Sequence, residues 1–518
     1  MSQMLKSSGA MSGATLISRV LGLAREVVYA GFMGTTWVAD AFNLAFMVPN
    51  LFRRLLGEGA LTAAFIPVFK EKEKLNGEEE MWRSANAVIS GLIATASMLV
   101  GLAVAGISLV LLFQERDGRT ILMLELLRIM FPYVLLVCLA ALFMGMLNAR
   151  GHFFVPAMGA TMLNVVMIAS VLWLAPRMGD KLDEQIFGLA IGVVIAGVAQ
   201  AAFQVPLLRK EGFRFRWVSP WRDETVRRVV TKMIPGAVGV AAFQINLLIT
   251  QSIAFWAGGG IVSSFVYAVR LMELPQGGFG ISLATYLLPT LSGLAAEKKY
   301  PEFRASLRHG LNWLLFVNLL ASVLLFTLAE PMMRLLFERG EFNEISTANS
   351  ALALKCLAPG LVAFSVVNIL ARAFYALGDT STPMRISVFC LALNAVIAVA
   401  LVWRLKQAGL GIANTLSATV NMTLLFYALR KKLKTLDLAG LLKPIIVLIA
   451  AAIIAGAVAW KLESFWNARI GHDRFWLQMG EVFVPIAAAS LVYCALSIVF
   501  RTGHVSELAD LFRGKIRR

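Results

Sequence analysis

Apolar runs of about 20 residues recur from one end of this chain to the other, and they restrict its fold more than any other feature. A helix of that length spans the hydrocarbon core of a bilayer, whereas a membrane strand needs only about 9–11 residues. The composition agrees, because 58% of the 518 residues are hydrophobic and only 15% are charged. We therefore predict an all-α polytopic membrane protein.

Fourteen spans are predicted, and lysine and arginine concentrate in every second connection, as in the segments around Lys70–Lys74, Arg209–Arg228 and Arg430–Lys434. The positive-inside rule assigns these richer connections to the cytoplasm, so both termini are predicted to be cytoplasmic. The same bias accounts for most of the net charge of +17, and nucleic acid is not an expected partner.

The second half of the chain resembles the first. The stretch "RIMFPYVLL…NARGHFFVP" is similar to "KCLAPGLVA…YALGDTSTP". Proline and glycine recur at a nearly constant offset, in the pairs Pro132 and Pro359, Gly151 and Gly378, Pro156 and Pro383, and Pro49 and Pro275. A repeat of six helices is an even number, so its two copies enter the membrane in the same direction.

This repeat predicts two parallel six-helix lobes around a central cavity, with two extra C-terminal helices. The predicted domains are an N-terminal lobe at 1–220 (helices 1–6), a C-terminal lobe at 221–435 (helices 7–12), and helices 13–14 with a cytoplasmic tail at 436–518. Two bundles of this kind suit alternating access.

Charged residues lie inside several spans, where each costs about 2.5–3.5 kcal/mol on insertion scales. Helix 1 contains Arg19, Arg25 and Glu26, helix 2 contains Asp40, Arg53 and Arg54, and helix 8 contains Arg270 and Glu273. So many charges in one chain predict a polar, water-filled cavity. Pro49 and Pro275, each near glycines, predict irregular backbone beside it.

Arginine outweighs acid in this set, which favours an anionic ligand such as a diphosphate, because guanidinium groups bind phosphate oxygens bidentately. We assign substrate binding to Arg19, Arg25, Arg53 and Arg270, and a supporting or gating role to Glu26, Asp40, Arg54 and Glu273. Structural roles remain as alternatives, since Arg53 and Arg54 could snorkel to an interface, the glutamates could only neutralise arginines, and Asp40 could cap its helix.

The sequence lacks the motifs of common catalytic and metal sites. It contains no G-x-x-x-x-G-K-[ST] loop and no H-E-x-x-H, and the four cysteines lie in apolar runs without CxxC spacing. We predict a transporter rather than an enzyme, with no metal and no cofactor. Membrane potential, a proton gradient and a sodium gradient are all open as the driving force.

Several long strings carry a family resemblance. The segments "SRVLGLARE", "ADAFNLAFMVPNLFRRLLGEGALTAAFIPVF", "AVRLMELPQGGFGISLATYLLPTLS", "ERGEFNEISTANSALAL" and "FYALGDTSTPM" together resemble the MurJ (MviN-type) lipid II flippases. These belong to the multidrug/oligosaccharidyl-lipid/polysaccharide exporter superfamily. The likeness extends over most of the chain.

The resemblance implies a flippase of the bacterial inner membrane that moves lipid II, an undecaprenyl-diphosphate-linked disaccharide-pentapeptide, to the outer leaflet for peptidoglycan synthesis, cell wall biogenesis and cell shape. It implies that Arg19, Arg25, Arg53 and Arg270, with Asp40, line a cationic cavity, and that the last two helices form a groove for the lipid tail. Lipid II and membrane lipids are the implied partners, and cell-wall synthesis machinery is a further candidate.

Two positions depart from the family pattern. Glu26 replaces a common Asp, and Met47 replaces a common Lys or Arg, so the role of that cation is not transferred. The alternative functions are export of another undecaprenyl-linked oligosaccharide and drug/cation antiport in the same superfamily. An antiporter is expected to show intramembrane carboxylates that outnumber arginines.

Overall fold

The computed structural model describes residues 2–55, 61–113, 117–433, 439–500 and 502. Within these residues the chain is helical and forms no β-strand, which confirms the all-α prediction. The predicted boundary at residue 435 and most of the predicted C-terminal tail lie outside the described residues.

The helices follow one another with short connections. They are α1 (Ser2–Met33), α2 (Trp37–Phe52), α3 (Leu61–Phe113), α4 (Gly118–Met130), α5 (Tyr133–Ala149), α6 (Phe154–Ala169), α7 (Leu182–Ala202), α8 (Val205–Lys210), α9 (Glu224–Ala257), α10 (Ile261–Pro275), α11 (Ser282–Ala296), α12 (Tyr300–Thr327), α13 (Ala329–Phe337), α14 (Glu344–Leu357), α15 (Gly360–Ala376), α16 (Ser381–Leu433), α17 (Ala439–Arg469) and α18 (Phe475–Val499).

Among the described residues, eight helices are long and apolar enough to cross a membrane, or nine if α14 and α15, bent by 47°, form one span. The chain is therefore a multi-pass membrane protein. Helices α1, α2 and α10 are not in this group, because α2 and α10 are short and α1 contains three charges close together. The predicted total of fourteen spans stays a prediction.

The two longest helices each contain a kink at a residue with non-helical backbone angles. In α3 the break is at Gly77, with φ 87° and ψ 175°, and in α16 it is at Lys406, with φ 49° and ψ −129°. Glycine accommodates a positive φ without a Cβ clash. Each break divides its helix into two arms.

Backbone contacts divide the chain into two compact units, Met1–Phe255 and Trp256–Arg518. In the first unit, aromatic rings join the arms of α3, because Phe69 lies 5.5 Å from Trp82 between ring centroids, and Trp82 lies 5.6 Å from Phe213. Residues of α5, α8 and α9 complete this apolar core. The predicted lobe boundaries at 220 and 435 stay predictions.

The second unit has a core formed by α11, α12, α15, α16, α17 and α18. The extra helices α17 and α18 are integral to it. Tyr493 of α18 is fully buried and donates a hydrogen bond of 2.9 Å from its hydroxyl to the carbonyl oxygen of Phe316 in α12. This bond satisfies a phenol that would be costly to bury alone.

The repeated prolines and glycines occupy similar local structures. Pro132 and Pro359 each precede the first residue of a helix, α5 and α15 respectively. Gly151 and Gly378 follow the ends of those helices with φ values of 86° and 73°. Such a left-handed residue after a helix is a standard C-terminal signal. The local agreement supports the repeat, whose six-helix organisation stays a prediction.

A buried ion pair joins α13 to α18 in the second unit. Arg334 Nη1 lies 3.0 Å from Oε1 of Glu481, whose side chain is 0% exposed, and Arg334 Nη2 lies 2.9 Å from Oε1 of Glu330. Glu338 lies 3.8 Å from the same guanidinium. Three carboxylates therefore surround one arginine.

We expect Arg334→Ala to lower the free energy of unfolding by about 3–5 kcal/mol, because Glu481 is then buried without its cation. Reversible denaturation in detergent micelles measures this change. The exposed Arg404→Ala is the control, with an expected effect within about 0.5 kcal/mol. The double variant Arg334→Met/Glu481→Leu is expected to be less destabilised than Arg334→Ala, and an equal or larger loss contradicts this account.

A second charged cluster ties the end of α5 to α3 and α8. Arg150 Nε lies 2.9 Å from Oε2 of Glu211, and Arg150 Nη1 lies 2.6 Å from Oε1 of Glu73. His152 Nε2 lies 2.8 Å from the other carboxylate oxygen of Glu211. Hydrogen bonds from His152 and Arg150 lower the pKa of Glu211 below its ordinary value of 4.5.

Because this pKa is lowered in the folded state, the stabilisation by Glu211 is present above pH 4.5 and is lost as the pH falls below that value. We expect the temperature of the unfolding midpoint to decrease as the pH is lowered from about 5.5 to about 3.5, which is about one pH unit on each side of the ordinary value, and we expect Glu211→Gln to make that decrease less steep. The exposed Glu341→Gln should keep the wild-type slope. An unchanged slope in Glu211→Gln would contradict the assignment.

Candidate anion-binding site

Arg25 and Glu26 form an ion pair in the middle of α1. Arg25 Nη2 donates to Oε1 of Glu26 at 2.6 Å, with exposed side-chain fractions of 15% and 10%. The guanidinium carbon also lies 5.5 Å from the centre of the Tyr29 ring, within reach of a cation–π interaction. Nε of Arg25 is buried without a hydrogen-bond partner among the described residues. The Arg25 guanidinium therefore pairs with the Glu26 carboxylate and keeps an N–H donor that could bind another acceptor.

Arg19 has a different environment from Arg25. Its side chain is exposed, and the described residues show no ion pair between Arg19 and the Arg25–Glu26 pair. Six residues of helix separate the two arginines, which is about 9 Å along the axis. The structure of the first unit therefore does not bring them into one cluster.

Asp40 is fully buried in the first turn of α2. The N-cap of that helix is Thr36, whose hydroxyl accepts a hydrogen bond of 3.2 Å from the backbone N–H of Ala39. The alternative in which Asp40 caps the helix is therefore wrong. A carboxylate in the first turn is still favoured by the helix dipole.

Arg53 and Arg54 lie at the opposite end of α2 from Asp40, about 20 Å along the axis. Arg53 Nε donates to Oδ1 of Asn50 at 2.8 Å, and both arginines are half-buried. Residues 53–55 form a π-helical turn directly after α2. The predicted irregularity after Pro49 is confirmed at this turn, while residues 56–60 lie outside the described residues.

In the second unit, Arg270 and Glu273 share a face of α10, as their spacing predicted. Arg270 Nη1 lies 3.0 Å from Oε2 of Glu273, with exposed fractions of 39% and 48%. The helix ends at Pro275, and a π-helical segment follows at Gln276–Ile281. The predicted backbone irregularity is confirmed here too. The half-exposed pair leaves the guanidinium accessible.

Sequence analysis missed one intrahelical arginine in this unit. Arg372 lies near the end of α15, and its Nη2 donates to the hydroxyl of Thr285 in α11 at 3.2 Å. No carboxylate pairs with it among the described residues. Its signal in the sequence is the single charge in the otherwise uncharged stretch "SVVNILARAFYA".

The arginines make these environments suited to anions. Within the described ranges, no group of three histidine, cysteine, aspartate or glutamate side chains could hold a metal ion. Arg25 contacts Glu26 and Arg270 contacts Glu273, whereas Arg334 is surrounded by three carboxylates. A guanidinium with one carboxylate can still donate to phosphate oxygens.

The fold has clear relatives among solved membrane transporters. The structure "Lipid II flippase MurJ, inward closed conformation" covers 95% of this chain and 99% of its own, with a TM-score of 0.78 and 23% identity. An inward-facing multidrug resistance MATE family transporter of the MOP superfamily covers 83% of this chain, with a TM-score of 0.66 and 15% identity. The chain thus has the polytopic α-helical fold of these two structures.

Sequence comparison identifies the family. The family model described as "Lipid II flippase MurJ" matches residues 29–478. The "Probable lipid II flippase MurJ" of Vibrio cholerae serotype O1 is 34% identical over 482 residues, covering 89% of this chain and 90% of its own. The "Lipid II flippase MurJ" of Burkholderia cenocepacia is 34% identical over 465 residues, covering 88% and 89%. This chain belongs to the lipid II flippase MurJ family, which confirms the resemblance.

Exchanging the charges of the Arg25–Glu26 pair tests whether Arg25 does more than neutralise Glu26. We expect Arg25→Glu/Glu26→Arg to accumulate to near wild-type levels but not to support growth of a host depleted of its own flippase. The exchange keeps an adjacent ion pair but moves the guanidinium by about 100° around the helix. Quantitative immunoblots and growth curves measure the two properties.

The single variants Arg25→Glu and Glu26→Arg are the controls for this exchange. Each places two like charges in contact, so each is expected to accumulate poorly. Full growth of the exchanged variant would show that the position of the guanidinium is unimportant.

Proposed function

We propose that this chain flips lipid II from the inner to the outer leaflet of the bacterial inner membrane by alternating access. Membership of the lipid II flippase MurJ family supports the substrate. The observation that carries the mechanism is the Arg25 environment. Its side chain is only 15% exposed, and among the residues that the structure describes it has one carboxylate partner and a buried Nε without a hydrogen bond. A diphosphate oxygen would complete this set of hydrogen bonds.

The proposal includes the predicted fourteen spans, two parallel repeats around a central cavity, and cytoplasmic termini. Arg25, Arg53 and Arg270, with Arg19, receive the diphosphate, and Arg372 is added as a candidate from the second unit. Glu26 and Glu273 hold their arginines in place, and Asp40 and Arg54 have supporting or gating roles. Cell-wall synthesis machinery is a proposed partner.

The chemistry of each step follows from the charges. Guanidinium groups stay protonated at any working pH, so they hold the doubly charged diphosphate when water is excluded. The carboxylates of Glu26 and Glu273 weaken the binding of the diphosphate to the arginines, which allows the anion to be released. The polyprenyl tail stays in lipid during the transfer, since removing it from hydrocarbon would cost about 0.8 kcal/mol per CH₂.

Arg25→Ala and Arg270→Ala are each expected to abolish growth of a flippase-depleted host, while protein levels hold. Loss of one charge-assisted phosphate contact costs about 1.5–3 kcal/mol, or about tenfold to a hundredfold in binding. The exposed Arg177→Ala, which removes a cation from a connection, is the matched control and should grow normally. Full growth of both cavity variants would refute the proposed site.

The same strains separate lipid II from the alternative substrates. During depletion, lipid II is expected to accumulate in the inner leaflet, out of reach of an externally added cleaving enzyme, and wild-type expression is expected to restore its exposure. Restored export of another undecaprenyl-linked oligosaccharide without lipid II exposure would identify the rival exporter. Drug resistance with no effect on either lipid would identify an antiporter.

A further inference from the structure

A short basic and aromatic segment follows α8 in the first unit. Residues 213–217 read "FRFRW", and residues 213–220 form extended chain without helix. Phe213 is buried against Trp82, whereas Phe215 and Trp217 are 52% and 59% exposed. Exposed aromatic side chains beside arginines are typical of a membrane interface.

Side chains of α3 fix the backbone of this segment. Asn86 Nδ2 donates to the carbonyl oxygen of Arg214 at 3.0 Å, and the N–H of Arg216 donates to Oδ1 of Asn86 at 3.2 Å. The N–H of Val218 donates to the hydroxyl of Ser90 at 3.2 Å. Asn86 and Ser90 are both buried, so these contacts hold the extended segment in a defined position.

A cavity of about 620 Å³ opens beside the segment. Its apolar wall is formed by side chains of α3, α5, α8 and the segment, among them Ile93, Leu139 and Phe143. Arg209 and Arg214 are the two charged residues in its lining. The volume is in the range of small-molecule and lipid sites, and the apolar wall suits a hydrocarbon chain.

The two arginines have no acidic neighbour in the cavity lining. Their guanidinium groups make no ion pair or hydrogen bond within the part of the chain that the structure describes. Glu211, close in sequence, is already bound by Arg150 and His152. The mouth of the cavity therefore has two cations available for an anion, next to an apolar wall.

We propose that this cavity binds an anionic phospholipid, with the phosphate between Arg209 and Arg214 and an acyl chain along Ile93, Leu139 and Phe143. Charge complementarity selects an anionic headgroup, and the apolar wall selects a lipid over a soluble phosphate. Arg209 lies at the end of α8 and Arg214 lies in the arginine-rich connection that follows it, a position that matches the headgroup level of a leaflet. This assignment does not depend on the flippase function.

The test titrates the full-length purified protein with dioleoyl phosphatidylglycerol or dioleoyl phosphatidylcholine and counts bound lipids by native mass spectrometry. We expect one site with a preference for phosphatidylglycerol. Arg209→Gln/Arg214→Gln should weaken that site at least about tenfold, because two charge-assisted contacts are lost. Equal binding of the two lipids by the wild type would overturn the proposal.

The matched control is Arg216→Gln/Arg222→Gln, which removes two exposed cations from the same connection without changing the cavity lining. We expect a change of less than about threefold, since exposed charges more than a few ångströms from the phosphate are screened. An equal loss in both double variants would show general attraction to anionic lipid rather than a site.

A third variant tests the apolar wall. Ile93→Trp fills the cavity without changing charge and should weaken phosphatidylglycerol binding, while the thermal midpoint of the lipid-free protein verifies folding. If a folded Ile93→Trp variant binds as the wild type does, the acyl-chain assignment fails. Displacement of phosphatidylglycerol by lipid II at an Arg209- and Arg214-dependent site would assign the cavity to the substrate and overturn the phospholipid proposal.

Discussion

The desolvation of arginine is the physical constraint on which this structure depends. A guanidinium inside a bilayer costs about 2.5–3.5 kcal/mol even on insertion scales, and it cannot lose its charge to escape that cost. Each intramembrane arginine must therefore find an anion, an aromatic face or water. Arg25 has Glu26 and Tyr29, and Arg270 has Glu273. Arg334 is buried in the short helix α13, and it meets the same requirement with carboxylates on two helices.

The number of carboxylates around each arginine separates structure from function. Arg334 joins α13 to α18 through Glu481 and also contacts Glu330 and Glu338, so additional anions would meet negative charge. Within the described part of the chain, Arg25 has a single glutamate partner and a buried donor without a hydrogen bond. An arginine that is surrounded by carboxylates holds two helices together. An arginine with one carboxylate partner and a donor left over can bind a ligand.

Local features of the fold were predictable because they depend on neighbours in sequence. Apolar runs predicted the helices, and the spacing of Arg270 and Glu273 predicted their contact. The pairing of Arg334 with Glu481 was not predictable, since 147 residues separate them and only tertiary packing brings α13 to α18. The cavity beside "FRFRW" was missed for the same reason, because the charge rule treats Arg209 and Arg214 only as loop cations.

The two halves of the predicted repeat share local backbone features at four matched residues but differ in their charges. Pro132 and Pro359 begin equivalent helices, and Gly151 and Gly378 end them with the same left-handed conformation. Backbone breaks of this kind set where helices start, bend and stop, so both halves need them. Arg25 and Arg270 have no such counterparts, and Arg270 aligns with Leu44. If a charge served only to build a lobe, both lobes would need it. The presence of Arg270 in one half alone therefore favours a role in ligand binding.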